Sequence, residues 1–199
     1  MLKSCVVYLP GSGGTFLHRI LRLSAKVSAA EINNNVKKRF EKFTQWDSQD
    51  WKSKELYGYP HYRQGLEEYC VNEQSTSWYI DVWHPKELLD HVGVLWDQNF
   101  FESLIIIDST IDNKEFLLEN QGTKKYHLDW PEEFKSQETC KEKFSDIVTL
   151  IPFDNFFKWE LFQNNIVEID KKVNLDLPMD LVKKLWTAWF TESCKVWTL

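Results

Sequence analysis

Long apolar segments and cysteine clusters are both missing from this chain. No apolar run approaches the roughly 20 residues that a membrane-spanning helix requires. The short apolar stretch near the N-terminus leads directly into a glycine-rich turn, which is unlike a signal peptide. The four cysteines lie far apart in the 199 residues, without the paired spacing of zinc sites or disulfide frameworks. We therefore expect a cytoplasmic protein with free thiols and no bound metal.

Excess positive charge is missing as well. The formal net charge is −6, which argues against a nonspecific nucleic-acid binder, since such proteins rely on basic surface. Repeats and low-complexity linkers are also absent, and the chain is 43% hydrophobic and 27% charged. This composition is typical of a folded globular protein. We expect one domain covering residues 1–199, without a nucleic-acid or membrane partner; the sequence leaves the oligomeric state open.

What the chain does have is a glycine-rich turn close to its start. The apolar residues 5–9 predict a strand, Pro10 ends it, and glycines at 11, 13 and 14 precede a helical pattern. Backbone N–H groups in such a turn, together with the positive end of the helix dipole, form a binding place for an anion such as phosphate. The alternative is a strand-to-helix turn of an α/β protein that binds no ligand.

Two common phosphate-binding motifs do not fit this turn. A Walker A loop needs a lysine before its Ser or Thr, whereas Gly14 directly precedes Thr15. The dinucleotide motif G-x-G-x-x-G begins at Gly11 but has Phe16 in place of its third glycine.

A third pattern matches better. The turn reads Pro10-Gly11-Ser12-Gly13-Gly14-Thr15-Phe16 and resembles the Pro-Lys-Ser-Gly-Thr-Thr-Trp loop of the sulfotransferases. In that family the loop holds the 5′-phosphosulfate end of the donor 3′-phosphoadenosine-5′-phosphosulfate. The resemblance implies that residues 11–16 bind this donor, with Ser12 and Thr15 adding hydroxyl groups. It departs from the family at Gly11, where the family has a lysine that contacts the phosphosulfate.

The order of predicted elements gives the fold class. Strands are predicted at 5–9, 77–83, 103–108 and 146–152, and helical patterns at 15–28, 86–92, 112–121, 154–165 and from 178 onward. Residues 103–108 form a continuous run rich in β-branched residues, as in buried parallel strands. The alternation predicts a three-layer α/β/α fold with a mostly parallel central sheet and a P-loop-like phosphate-binding turn after strand 1.

His84 is the candidate catalytic residue. It follows the predicted strand at 77–83 and precedes Pro85, which is similar to the Lys-Thr-His-Leu-Pro segment that carries the sulfotransferases' catalytic base. Sulfuryl transfer to a hydroxyl requires a base, and a neutral imidazole is suited to that role near pH 7. The alternative is that His84 only ends the strand and bonds to nearby backbone.

Three further residues are candidates for contact with the donor. His18 is the rival of His84 and lies in the first helical turn after the loop, near bound phosphate. Together with Arg19 it would partly replace the positive charge of the lysine missing at Gly11. The family binds the 3′-phosphate with an arginine and a serine. Here the strand at 103–108 ends in Asp108-Ser109 without an arginine, which leaves Ser109 as a hydroxyl donor beside a carboxylate that repels phosphate.

Aromatic residues form two groups. Trp186 and Trp189 lie on the apolar stripe of the C-terminal helix, which predicts that they belong to the core. The tryptophans and tyrosines of residues 46–69 lie in a polar segment. They are equally compatible with an acceptor-binding surface and with a small apolar patch.

Three function classes remain. The first is a metal-independent sulfotransferase that modifies a hydroxyl on a glycan or small metabolite. The second is a binding or structural protein that kept this fold without donor binding, which the missing lysine and arginine favour. The third is a nucleotide or phosphate-ester kinase, against which the missing Walker lysine and Mg²⁺-binding pattern count.

Overall fold

The protein is built on a four-stranded parallel sheet. The computed structural model describes residues 2–21, 23–24, 78–91, 101–120 and 129–194. The strands are β1 (Leu2–Val7), β2 (Trp78–Trp83), β3 (Ser103–Asp108) and β4 (Val148–Pro152), in the spatial order β2-β1-β3-β4. All three strand pairs are parallel. The expected α/β fold with a parallel sheet is therefore confirmed.

Helices follow each of the four strands. In chain order the helices are α1 (Gly14–Leu21), α2 (Pro85–His91), α3 (Lys114–Asn120), α4 (Trp130–Lys143), α5 (Trp159–Val173) and α6 (Met179–Cys194). Two 3₁₀ turns, Ile111–Asn113 and Phe153–Phe157, precede α3 and α5. Among the described residues, no helix is long and apolar enough to cross a membrane.

The two faces of the sheet contribute to different apolar clusters. Val6 of β1 and Ile105 of β3 belong to one cluster, which also contains residues of α1, α5 and α6. Val7 and Ile106 belong to the other, with residues of α2 and α4. This division follows from the strand geometry, in which successive side chains point to opposite faces. Both faces of the sheet are covered by helices, and its carboxyl edge lies between them.

The predicted elements agree with the structure at several places. The strand at 103–108 has the predicted bounds, because residues buried on both faces form an uninterrupted apolar run. The first strand ends at Val7, two residues before its predicted end, and α1 stops at Leu21 rather than at residue 28. The segment 29–74, including the aromatic residues of 46–69, lies outside the described residues.

Helix α4 was missed by the sequence reasoning. Its buried positions include the polar residues Glu133, Ser136 and Gln137, so that it lacks an apolar stripe. A start signal was nevertheless present: the Asp129 carboxylate accepts a hydrogen bond from the Glu132 N–H at 3.4 Å, and Pro131 occupies the first turn. α4 contacts the start of α2, which follows β2, and the end of β3.

The aromatic residues of α6 pack below the glycine-rich turn. Trp189 is buried and stacks on Phe16 of α1 with ring centroids 4.7 Å apart. Trp186 is partly buried and donates from its ring N–H to the Phe156 carbonyl oxygen at 2.8 Å. Both tryptophans belong to the core, as their spacing in the sequence predicts.

Candidate functional site

The carboxyl edge of the sheet brings together the residues that the sequence analysis selected. Because the strands are parallel, their carboxyl ends share one edge. The glycine-rich turn follows β1, His84 follows β2, and Ser109 follows β3. Since β1 pairs with both β2 and β3, the turn lies between His84 and Ser109. Open α/β sheets bind ligands at this kind of edge.

Gly11 is required by the packing of the turn. Its φ is +90°, a left-handed conformation that favours glycine, and a Cβ on Gly11 would overlap the carbonyl oxygen of Leu117 in α3. The family's lysine therefore cannot be accommodated here unless α3 moves. The turn thus packs against α3 at the position where the sulfotransferase loop has its lysine.

Ser12 stabilises the turn from within. Its side chain is fully buried, and its hydroxyl donates to the Leu9 carbonyl oxygen at 2.7 Å. The Ser12 backbone N–H donates to the same oxygen at 3.0 Å. Both donors that the sequence analysis assigned to a ligand therefore have a partner inside the turn. The backbone N–H groups that remain for an anion are those of the residues after Ser12.

The remaining backbone donors lie at the start of α1. The first bond of the helix runs from the Leu17 N–H to the Gly13 carbonyl oxygen at 2.9 Å. The amides of residues 13–16 therefore have no acceptor within the helix. The first turn of α1 contains no acidic residue that would neutralise the positive end of its dipole. Gly13 has a φ of +85° and is half-buried.

Gly14 and Phe16 occupy tightly packed positions. A Cβ on Gly14 would overlap the ring of Tyr8, so the helix begins directly against that ring. The Phe16 side chain is buried between Trp189 and Phe162. Its ring belongs to the core, and only its backbone N–H remains as a ligand donor. Thr15 lies in α1, but its side chain is outside the described part of the chain.

His84 lies beside the turn at the end of β2. The Leu88 N–H donates to the His84 carbonyl oxygen at 2.9 Å, so His84 is the residue directly before α2 and accepts the first hydrogen bond of the helix. Its ring is half-buried, and its centroid is 5.1 Å from that of Tyr8. The Tyr8 N–H donates to the Trp83 carbonyl oxygen at 3.1 Å. Tyr8 thus lies against both His84, directly before α2, and Gly14, the first residue of α1.

Helix α4 holds the segment after His84 at two points. The carboxylate of buried Glu133 accepts a hydrogen bond from the Lys86 N–H. Cys140 lies about two turns further along the same face of α4, with its Sγ 3.7 Å from the Pro85 carbonyl oxygen. Burial raises the pKa of Glu133, although the Lys86 N–H and the Lys86 charge oppose this increase. Burial also raises the pKa of the Cys140 thiol, to about 12. This thiol is therefore protonated at neutral pH.

His18 and Arg19 are farther from the start of α1 than expected. They are the fifth and sixth residues of the eight-residue helix and lie in its last turn. Both side chains are half-buried. At 1.5 Å of rise per residue, His18 lies about 6 Å along the axis from Gly14. Their charge can act on an anion at the start of α1 only if their side chains are long enough to reach it.

The end of β3 is bound to α4 through Gln137. This fully buried side chain donates from Nε2 to the Ser109 carbonyl oxygen at 2.8 Å and to Oδ1 of Asp108 at 3.2 Å. Its Oε1 accepts from the Ser109 N–H at 3.4 Å. The Ser109 hydroxyl is buried and has no hydrogen-bond partner in the part of the chain that the structure describes.

Lys141 is a cation at this edge that sequence reasoning did not identify. Its Nζ lies 2.6 Å from Oδ1 of Asp108 and 2.6 Å from Oε1 of Glu138. Burial alone would lower the pKa of Lys141, but its hydrogen bonds to both carboxylates raise the pKa above its ordinary value. Lys141 is therefore protonated, and its charge is shared by two carboxylates.

The two ends of the implied donor fit this edge unequally. The amides of residues 13–16 suit the 5′-phosphate end, because they are unused donors at the positive end of a helix. The groups at the carboxyl end of β3 do not suit a 3′-phosphate, because Asp108 of β3 and Glu138 of α4 are negative and Lys141 is already paired with both. Among the described residues, no group of three His, Cys, Asp or Glu side chains lies close enough to hold a metal ion.

No family model, no curated protein and no solved structure matches this chain.

Proposed function

We propose that this chain is a sulfotransferase-like enzyme of the cytoplasm, with a P-loop-like turn that binds the 5′ end of a nucleotide phosphosulfate. One observation carries the proposal. The first amides of α1 and the imidazole of His84 lie at the ends of two paired strands, with the Tyr8 ring in contact with both segments. An anion-binding helix start and a candidate base are thus adjacent at the ligand-binding edge of a parallel sheet.

In the proposed reaction, His84 acts as the base and the first amides of α1 bind the leaving phosphate. A ring nitrogen of His84 accepts the proton of the acceptor hydroxyl, and the acceptor oxygen forms a bond to sulfur. The bond between sulfur and the bridging oxygen of the 5′-phosphate breaks, and the nucleotide phosphate leaves with that electron pair. The amides of residues 13–16 stabilise the negative charge that develops on this phosphate. The acceptor is a hydroxyl of a glycan or a small metabolite.

The test is transfer of labelled sulfate from a nucleotide phosphosulfate to pooled hydroxyl acceptors. The donor is supplied in both its 3′-phosphorylated and its 3′-hydroxyl forms, so that the result does not depend on the 3′ position. The wild-type chain is expected to label an acceptor. His84→Ala is expected to lower turnover by about a hundredfold or more, as for loss of a general base, while binding of the nucleotide product stays nearly unchanged.

Lys86→Ala is the matched control, because Lys86 is exposed and lies two residues after His84. It is expected to keep wild-type turnover. If His84→Ala weakens nucleotide binding as much as it lowers turnover, His84 is structural. If neither donor form yields a labelled acceptor, the enzymatic proposal fails.

A second candidate is a binding protein of the same fold without transferase activity. The contact between Gly11 and Leu117 favours it, because this packing leaves no room for a lysine that would stabilise the leaving phosphate. Calorimetry separates the two candidates. A chain that binds no nucleotide and labels no acceptor belongs to this second class.

A further inference from the structure

The end of β3 determines which kind of nucleotide this edge accepts. In the proposed function, which is the premise here, the reacting end of the nucleotide faces His84 after β2. The turn after β1 holds the phosphate, so the rest of the nucleotide extends to the opposite side, toward β3. Neighbouring strands are about 4.8 Å apart. The groups at the carboxyl end of β3 therefore lie on the side of the turn that faces away from His84.

These groups carry excess negative charge. Lys141 contacts the carboxylates of both Asp108 and Glu138, so two negative charges share one positive charge. The Asp108 and Lys141 side chains are 26% and 18% exposed, so the pair is only partly screened by water. A phosphate group placed here would be repelled by the unshared negative charge.

The same groups can bind a hydroxyl. The contacts to Asp108 from Gln137 and Lys141 both go to Oδ1, which leaves Oδ2 as an acceptor for an O–H donor. The Ser109 hydroxyl at the same strand end is buried and has no hydrogen-bond partner among the described residues. A carboxylate with an open acceptor oxygen is a suitable partner for an uncharged sugar hydroxyl and a poor one for an anion.

We infer that this edge binds a nucleoside 5′-phosphate ester with a free 3′-hydroxyl and rejects the 3′,5′-bisphosphate form. This differs from what the sulfotransferase resemblance implies about the donor. Asp108 is then the specificity-determining residue, and Gln137 and Lys141 fix the carboxylate in place.

Calorimetric titration of the full chain tests this inference with four probes: pyrophosphate, adenosine 5′-monophosphate, adenosine 3′,5′-bisphosphate and 3′-deoxyadenosine 5′-monophosphate. The second and third differ only by the 3′-phosphate. The monophosphate is expected to bind about tenfold or more tightly than the bisphosphate, because of charge repulsion at Asp108. Removal of the 3′-hydroxyl is expected to weaken binding about threefold to tenfold, as for one lost hydrogen bond.

Two variants should move the preference in opposite directions. Asp108→Asn removes the repelling charge and should bring the affinities for the two nucleotides close together. Lys141→Gln removes the compensating cation and should increase the preference for the monophosphate. Asp146→Asn is the matched control, because this exposed carboxylate lies just before β4, at the amino edge of the sheet. It should leave the preference unchanged.

The possible failures are distinct. Equal or tighter binding of the bisphosphate by the wild-type chain overturns the inference and leaves the proposed function standing. Binding of pyrophosphate without binding of any nucleotide also overturns the inference, while the phosphate-binding turn stands. If no probe binds, the proposed function fails and the inference fails with it.

Discussion

Gln137 of α4 hydrogen-bonds to Ser109 through both ends of its carboxamide. Nε2 donates to the Ser109 carbonyl oxygen at 2.8 Å, and Oε1 accepts from the Ser109 N–H at 3.4 Å. Both residues are buried. The backbone that leaves β3 is thus paired with a side chain rather than with another strand, as buried peptide groups require.

Replacing the Gln137 carboxamide should lower the free energy of unfolding. Gln137→Leu keeps much of the side-chain volume but leaves the N–H and carbonyl groups of Ser109 buried and unpaired. We expect a loss of about 2–4 kcal/mol in the free energy of unfolding, measured by urea denaturation. Thr139→Ala on the exposed face of the same helix should change that free energy by about 0.5 kcal/mol or less. A Gln137→Leu variant as stable as the control would contradict the role given to this contact.

Restoring the sulfotransferase lysine should not restore a donor site. Gly11→Lys and Gly11→Ala both place a Cβ against the Leu117 carbonyl oxygen at a φ of +90°. Each should lower the free energy of unfolding by about 2 kcal/mol or more. Gly13→Ala is the matched control, because it meets similar backbone strain while its Cβ would be 3.4 Å from Phe156, an ordinary contact. Its loss should be smaller. Equal stability of Gly11→Lys and wild type would show that the turn and α3 do not pack this closely.

The buried carboxyl of Glu133 makes stability depend on pH. Its pKa is raised by burial, so the folded state binds a proton more strongly than the unfolded state does. The stabilising effect of that proton is present at acidic pH and is lost as the pH rises through the folded-state pKa. Glu133→Gln keeps an acceptor for the Lys86 N–H and removes the ionisation.

The free energy of unfolding of Glu133→Gln, relative to wild type, should therefore increase from acidic to neutral pH. Denaturant unfolding at several pH values measures this difference. The exposed residue Glu142 provides the control variant Glu142→Gln, for which we expect no such trend. A difference that is flat with pH, or that decreases toward neutral pH, would show that Glu133 is not the group responsible.

The sequence predicted the sheet better than it predicted the site. β3 is buried on both faces, and its apolar run reveals this directly. α4 instead buries Glu133, Ser136 and Gln137, so hydrophobic periodicity does not detect it. The contact between Gly11 and Leu117 joins residues more than a hundred positions apart. Local sequence patterns therefore cannot indicate that position 11 has no room for a side chain.

Local sequence patterns also do not predict where individual hydrogen-bond donors point. The glycines predicted a turn before a helix, and the structure has one at residues 8–13. Whether the Ser12 hydroxyl points outward or toward the Leu9 carbonyl oxygen depends on the path of the turn. The pairing of Lys141 with Asp108 depends on a helix that the sequence reasoning did not place.

Backbone amide resonances followed by NMR during a titration with pyrophosphate test the phosphate site most directly. We expect the largest shifts on the amides of Gly13, Gly14 and Phe16, because these donors at the start of α1 hold the phosphate. The amides around Asp146, at the opposite edge of the sheet, should not move. Unchanged turn amides in a large excess of pyrophosphate, or larger shifts elsewhere, would contradict the assignment of this turn as a phosphate site.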